Sequence, residues 1–402
     1  MGIKNHSGKA LWLMAVGTLL FGGPTAKGDF VFGEPEPVAN LNSESADIAP
    51  SITADGLELY FTSNRDHGAD LSYCDIWVAT RTSTDEPWET PRNLGAPVNR
   101  PEGAEASPCI SADGLELYFS DVWPGSIPES ALRPGGYGGG DIWVSKRETR
   151  EAQWGIPTNL GPVVNSIDEY DGTPYVSTDG LSLYFSSNRA PGNGGDFYVC
   201  TRPTKDDPWE QPTALGAPIN TMAEQDYLFH PFLSCDGLSM IFTSVPWPWS
   251  GSEVASNGDI FLCTRSHGED SWGVPSRLTV LSSDSYDSGG AFACGGSVLY
   301  FSRGDPLNPS PHVVFDPARG TADIWKVEVT PLVDFDGDGI PTLIDLTMLI
   351  ENWGSDNTVF DIGPMPLGDG RVDVEDLKVF IASWEKDNPE EARLTISKPS
   401  RR

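Results

Sequence analysis

The stretch SITADGLELYFTSNR, residues 51–65, decides the fold, because the chain repeats it. CISADGLELYFS (109–120), YVSTDGLSLYFSSNR (175–189) and FLSCDGLSMIFTS (232–244) are variants, and AFACGGSVLYFSR (291–303) is a more diverged fifth copy. Self-similarity at a regular interval is the signature of a repeat architecture. An Asp-Gly step set between alternating apolar residues marks a tight hairpin. The Tyr, Phe, Leu and Ile that flank it suit a buried pleated surface.

Each copy is followed by a second phrase: DIWVATR (75–81), DIWVSKR (141–147), DFYVCTR (196–202), DIFLCTR (259–265) and DIWKVEV (323–329). A third phrase follows four of them: WETPRNLG (88–95), WGIPTNLG (154–161), WEQPTALG (209–216) and WGVPSRLT (272–279). A hairpin plus two further short strands is a propeller blade. The fifth copy lacks its third phrase, but FGEPEPVANLNS (32–43) precedes the first copy and fits the missing pattern, with Phe32 in place of Trp. An N-terminal strand that completes the last blade closes the ring and removes an exposed edge. The expected fold is an all-β five-bladed β-propeller over residues 32–330. Its pattern resembles the TolB-like, WD-repeat-like propellers of exported bacterial proteins. That resemblance implies a fold and does not choose an activity.

The recurring Asp55, Asp113, Asp179 and Asp236 fall in the hairpin turns, where capping explains them. The repeated Trp88, Trp154, Trp209 and Trp272 read as packing between blades.

A formal charge of −32 and few basic residues argue against nucleic-acid binding, since phosphate backbones demand Lys and Arg. Lys4 and Lys9 precede the apolar run ALWLMAVGTLLFGG (10–23) and Ala26, the order of a signal peptide over residues 1–27. The expected protein is secreted, at the cell surface or periplasmic, with no membrane span in its mature form. Six cysteines lie in the exported part, and their spacing suggests inter-blade disulfides Cys74–Cys109, Cys200–Cys235 and Cys263–Cys294. Buried free thiols are the rival reading.

DFDGDGIPTLID (334–345) has Asp at positions 1, 3, 5 and 12 and Gly at 6, which is the spacing of a calcium loop. Asp334, Asp336 and Asp338 supply side-chain oxygens, Ile340 a carbonyl, Thr342 sits at position 9, and Asp345 closes the loop. The apolar run LTMLIENWG (346–354) then reads as a short helix. LGDGRVDVEDLKVFIASW (367–384) repeats the unit, with Asp369, Arg371, Asp373 and Asp376 as a weaker second loop. Met365 and Leu367 stand at its positions 1 and 3, unless Asp361 reaches in past an insertion. Two loop–helix units ending in Asp resemble the type I dockerin module of secreted carbohydrate-degrading systems. The resemblance implies Ca2+ as cofactor and a cohesin-like or cell-surface scaffold protein as partner, with the module over 334–385 and a disordered tail over 386–402. Leu343 and Ile344 depart from the polar pair usual in cohesin-binding members.

For the propeller two functions stand side by side. Trp123, Tyr137, Trp247 and Trp249 lie in long upper-face loops and suit stacking on a polysaccharide, which makes a binding module. Alternatively Asp47, Glu105, Asp171, Asp226 and Asp287, which enter successive blades near the axis, are candidate catalytic carboxylates of a glycan-cleaving hydrolase or lyase. His67, His230 and His312 form a weaker idea, a three-imidazole metal site.

Overall fold

The computed structural model describes residues 30–67, 73–121, 133–137, 139–167, 169–189, 195–222, 226–245, 258–265, 268, 270–293, 297–304, 322–331, 333–336, 341–355, 357, 359–363 and 371–387. The signal-peptide residues, Trp123, Trp247, Trp249, His312, Cys294, Asp338, Ile340 and Asp369 lie outside them.

Five sheets of antiparallel strands follow one another along the chain. Blade 1 is β3 (Asp47–Ile52), β4 (Glu58–Ser63), β5 (Asp75–Thr80) and β6 (Arg92–Asn93). Blade 2 is β7 (Glu105–Ile110), β8 (Glu116–Asp121), β9 (Ile142–Lys146) and β10 (Thr158–Asn159). Blade 3 runs through β11 (Asp171–Val176), β12 (Ser182–Ser187), β13 (Asp196–Thr201) and β14 (Thr213–Ala214). Blade 4 runs through β15 (Tyr227–Leu233), β16 (Ser239–Val245), β17 (Asp259–Thr264) and β18 (Ser276–Arg277). Blade 5 takes β19 (Asp287–Phe292), β20 (Val298–Gly304) and β21 (Ala322–Pro331) from the end of the repeat. Its outer positions are filled from the N-terminal side by β1 (Phe30–Phe32) and β2 (Glu36–Pro37), both paired with β21. The ring closes as the diverged third phrase implies. Asn42 then fastens it, accepting from the Ile324 amide at 2.8 Å and donating to the Ile324 carbonyl at 3.0 Å.

The repeated letters have repeated physical jobs. In the hairpins of blades 1 to 4 a hydroxyl of Thr53, Ser111, Ser177 or Ser234 donates to the turn aspartate, which also accepts the amide two residues on. Gly56, Gly114, Gly180 and Gly237 take the left-handed conformation that the turn requires. The arginine ending the second phrase (Arg81, Arg147, Arg202, Arg265) donates through Nε to that glycine's carbonyl. Its guanidinium lies 4.2–4.5 Å from the ring centre of the third-phrase tryptophan. One Asp-Gly, one Arg and one Trp thus lock hairpin, third strand and outer strand of a blade together.

Blades pack through size complementarity at the upper rim. Tyr170, Tyr227 and Tyr286 lie against Gly140, Gly195 and Gly258 of the preceding blade, where an added Cβ would sit 2.6–2.8 Å from a ring carbon. Between blades 1 and 2 the sizes are exchanged: Ala104 stands where the others have tyrosine, and Cys74 where they have glycine.

The expected disulfides are absent. Cys74, Cys109, Cys200 and Cys263 are all free and buried. Cys74 Sγ sits 3.6 Å from the Glu105 carbonyl at the upper end of β7. Cys109 is four residues further along the strand, about 13 Å at the usual rise per residue. None of the pairings Cys74–Cys109, Cys200–Cys235 or Cys263–Cys294 forms, because each has at least one free member. Cys235 is disulfide-bonded, but not to Cys200.

After the propeller come two helices, α1 (Leu343–Glu351) and α2 (Val374–Asp387). Val333, Leu349, Phe360, Ile362, Val372 and Phe380 form their buried core. Among the described residues no helix is long and apolar enough to cross a membrane.

Candidate functional site

Each innermost strand (β3, β7, β11, β15, β19) carries a β-bulge at its middle. The bulge residue has positive φ in all five: Ala49, Ser107, Thr173, His230 and Gly289, at 46–72°. Proline follows in the first four copies, which is possible in a central strand only where a bulge removes the need for a ladder N–H. Holding non-glycine residues there costs roughly 1–3 kcal/mol each. The neighbouring blade helps to hold them. The Ala49, Ser107 and Gly289 amides each donate at 2.9 Å to Ser302, Thr62 and Thr243 of the preceding blade. These five bulges meet on the axis and line a cavity of about 30 Å3.

Above this waist stand the carboxylates expected to be candidates for catalysis. Asp47, Glu105, Asp171 and Asp287 begin the inner strands of blades 1, 2, 3 and 5, and all are fully buried. Each is held by arginine: Asp47 by Arg65, Asp171 by Arg189, Asp287 by Arg303 at 2.6 Å, and Glu105 by Arg133 at 2.8 Å and Arg100 at 3.0 Å. Each also accepts a backbone amide from the loop that leads into its strand: Ser43, Arg100, Ser166 and Ser283, at 2.5–3.1 Å. Arg65, Arg133, Arg189 and Arg303 lie over two aromatic rings each, from the second and third strands of the same blade. The carboxylates therefore fasten loop, strand and guanidinium into one buried unit.

Asp226 is not their counterpart. Strand register sets Leu228 opposite Ser244, as Asp171 is set opposite Ser187. Asp226 lies two residues earlier, accepting from the Ser244 hydroxyl at 2.7 Å. Among its described residues blade 4 thus lacks the carboxylate–arginine pair. Its upper end is apolar, with Tyr227, Phe229 and Val245 packed with Tyr170 and partly buried Tyr286.

Blade 2 departs in the other direction. Where blades 1, 3 and 4 have Ser63, Ser187 and Ser244, it has Asp121, whose Oδ2 accepts from Trp143 Nε1 at 3.0 Å. Burial, with Glu105 adding to it and Arg133 opposing it, pushes the Asp121 carboxyl up to about 7. Burial also raises Glu105 and Asp141. Among the described residues Asp121 Oδ1 and Asp141 Oδ1 are buried without a hydrogen-bond partner, and Arg133 Nε stands 4.0 Å from the former.

The two described histidines, His67 and His230, do not meet. His67 pairs with Asp75 at 3.1 Å, whereas His230 is a bulge residue on the axis, and its Nε2 is 3.3 Å from Ser107 Oγ. Tyr137 is held through its amide by Asp141 at 2.6 Å.

In the C-terminal module Asp334, Asp336 and Asp345 converge, each with a carboxylate oxygen within 4.8 Å of the others. Asp345 caps α1 through Thr342 and accepts the Phe335 and Asp336 amides at 2.7 and 3.1 Å. Burial works against its charged form, but the amides and the Thr342 hydroxyl outweigh it, so its pKa is lowered. The second loop has the same wiring. Asp376 accepts the Ile362 and Gly363 amides at 2.6 and 2.8 Å and the Asp373 amide at 2.6 Å. Asp361 is therefore the counterpart of Asp334 and Gly363 that of Asp336, displacing Met365 and Leu367 from positions 1 and 3. The donors lie 10 residues before Asp345 and 14 before Asp376 (345 − 335 and 376 − 362), so four extra residues hid the match.

No family model and no curated protein matches the sequence. Solved structures share the propeller architecture at low identity. TolB from Acinetobacter baumannii matches at 15% identity with a TM-score of 0.41, over 71% of this chain and 55% of that one. This chain thus spans about half of that TolB. A family 117 glycoside hydrolase from Zobellia galactanivorans matches at 15% with a TM-score of 0.44, over 74% and 90% of the two chains. A thermostable family-43 glycoside hydrolase matches at 12% with a TM-score of 0.47, over 76% and 95%. These similarities concern the fold alone.

Proposed function

We propose that this protein is an exported propeller that recognises a polysaccharide and is tethered through a calcium-binding C-terminal module. The observation that carries recognition over cleavage is the state of the rim carboxylates. Asp47, Glu105, Asp171 and Asp287 are buried and committed to arginine and backbone amides. A glycosidase pair instead needs carboxyls that reach the scissile bond. Support for a polysaccharide comes from the loop aromatics and the dockerin-like module.

For calcium, the converging Asp334, Asp336 and Asp345 are hard oxygen donors of the right kind. In the second loop Asp361 and Asp376 take the places of Asp334 and Asp345, Gly363 stands in place of Asp336, and Asp373 stands in place of Thr342. An ion there would neutralise acidic groups and tie each loop to its helix, so that binding is coupled to folding. The tether reading rests on exposed Leu343, Ile344, Ile350 and Trp353 of the first unit and Val374 and Ile381 of the second. Leu343 and Ile350 have Val374 and Ile381 as counterparts, so the module shows similar apolar residues twice, suited to a protein surface.

A second reading, cleavage of a glycan, is favoured by one observation: Asp121, with its raised pKa and unpartnered Oδ1, has the character of a buried acid.

The test is to incubate the mature, calcium-loaded protein with plant and algal polysaccharides, measuring both retention in affinity electrophoresis and release of new chain ends. Retention without release supports recognition. Release that disappears in Asp121→Asn replaces it with the enzyme.

A further inference from the structure

The two members of each rim ion pair are not equally hidden. The side chains of Asp47, Glu105, Asp171 and Asp287 are sealed from solvent, whereas Arg65, Arg100, Arg189 and Arg303 keep 11–22% of theirs exposed. The partners of Arg65 show where the exposed part lies. They are Ser63 at the end of β4, Leu41 in the loop leading to β3, and Asp47 at the start of β3. All stand at the upper end of the blade. Arg189 repeats this with Ser187, Val164 and Asp171, and Arg303 reaches Asp287 and Leu281. Among the described residues these bonds engage Nε and Nη2 and leave Nη1 over in all three arginines. Unlike Arg133 Nε, none of these Nη1 atoms is buried away from water.

The inner strands of blades 5, 1, 2 and 3 touch in that order, so the arginines form an arc, which the apolar upper end of blade 4 interrupts. A guanidinium donates and never accepts, and here its acid lies behind it. A ligand arriving from the upper face therefore meets N–H donors first. A cationic sugar would need carboxylates within reach, and those of the rim are sealed. A sugar hydroxyl can accept from Nη1, but its own proton finds no rim carboxylate. A carboxylate or sulfate ester only accepts, and its charge-assisted hydrogen bond to arginine is roughly twice as strong as a neutral one. The formal charge of −32 opposes a polyanion at long range. Beyond about 10 Å, however, that repulsion is largely screened at 0.1 M salt, and the arc itself decides the contact.

We propose that Arg65, Arg189 and Arg303 form a docking arc for the anionic groups of an acidic polysaccharide, a uronate carboxylate or a sulfate ester. Each guanidinium keeps its buried acid through Nε or Nη2 and offers Nη1 to the ligand. This inference rests on the recognition reading and narrows its ligand class.

The experiment is affinity electrophoresis of the mature, calcium-loaded protein against polymer pairs that differ in charge: polygalacturonate and its methyl ester, dextran sulfate and dextran. The expected result is retention by the charged member of a pair and not by the neutral one, and the pair that responds tells carboxylate from sulfate. Equal retention by both members, or retention by neutral polymers alone, overturns the arc and leaves recognition standing. No retention by any polymer overturns both. Arg65→Gln combined with Asp47→Asn removes one pair without stranding a buried charge. It should weaken retention of the charged polymer by about tenfold, the worth of one charge-assisted hydrogen bond, and unchanged retention counts against the arc. A readout on the unaltered chain covers the case in which that variant fails to fold. The charged polymer should shield Arg65, Arg189 and Arg303 from phenylglyoxal, and modification at an undiminished rate overturns the proposal.

Discussion

The Ile362 amide donates to Asp376 Oδ1 at 2.6 Å, as the Phe335 amide donates to Asp345 Oδ1 at 2.7 Å. This correspondence promotes Asp361 to the first position of the second loop. Calorimetric titration of the metal-stripped protein with Ca2+ should show two classes of site. Asp334→Ala should remove the tighter one and Asp361→Ala the weaker one. If Asp361→Ala leaves the weaker class intact, the correspondence has no bearing on metal.

Calcium removal should act on one part of the molecule. A site filled at 100 times its Kd contributes about 2.7 kcal/mol to folding, and the core around Leu349 and Phe380 is small. Chelation should therefore eliminate the helical circular-dichroism signal and leave the propeller's melting transition in place. Loss of both together would show that the module and propeller unfold as one.

The rim pairs should report on stability. Asp171→Asn leaves the partly buried Arg189 without its counter-charge; for a fully buried pair this costs about 3–5 kcal/mol, so a smaller loss is expected here. Scanning calorimetry should show a clear drop in Tm. Any change in polysaccharide retention should follow that unfolding and vanish at low temperature.

Asp121 gives a pH signature. Its folded pKa of about 7 lies above the ordinary value of 3.8, so the folded state binds the proton more tightly than the unfolded chain. Its favourable contribution is complete below about pH 4 and is lost as pH rises toward 7, at up to about 1.4 kcal/mol per pH unit. Asp121→Asn should flatten the fall in stability across that window. An unchanged slope would assign the effect to Glu105 or Asp141.

The packing of Gly195 against Tyr227 predicts non-additivity. Gly195→Ala places a Cβ 2.6 Å from a Tyr227 ring carbon and should cost roughly 1–3 kcal/mol. Adding Tyr227→Ala relieves that clash, making the pair resemble Cys74 and Ala104. Double-mutant cycles by urea denaturation should give a favourable coupling energy, and simple additivity would remove this explanation.

The five-bladed ring was legible because its signals are local. Asp-Gly turns and the arginine–tryptophan spacing recur in blades 1 to 4, apolar strand residues recur in all five, and the missing third phrase reappears at residues 32–43. The four Xaa-Pro pairs on the inner strands were legible too, but their meaning was not, because a bulge shows only against its partner strand. Sequence spacing placed Asp226 with the carboxylates, and strand register gave that place to Leu228. Even spacing also suggested disulfides, but position along the strand keeps Cys74 away from Cys109.

By itself, then, the sequence determined what neighbouring residues settle among themselves: the repeat, the hairpins, the closing strand and the first acidic loop. Tertiary structure alone decided which groups meet across blades and across an insertion. Only folding turns candidate acids into buried ion pairs, brings His230 to the axis and aligns Asp361 with Asp334. Burial and register depend on residues far apart in the chain, whereas periodicity depends only on those nearby.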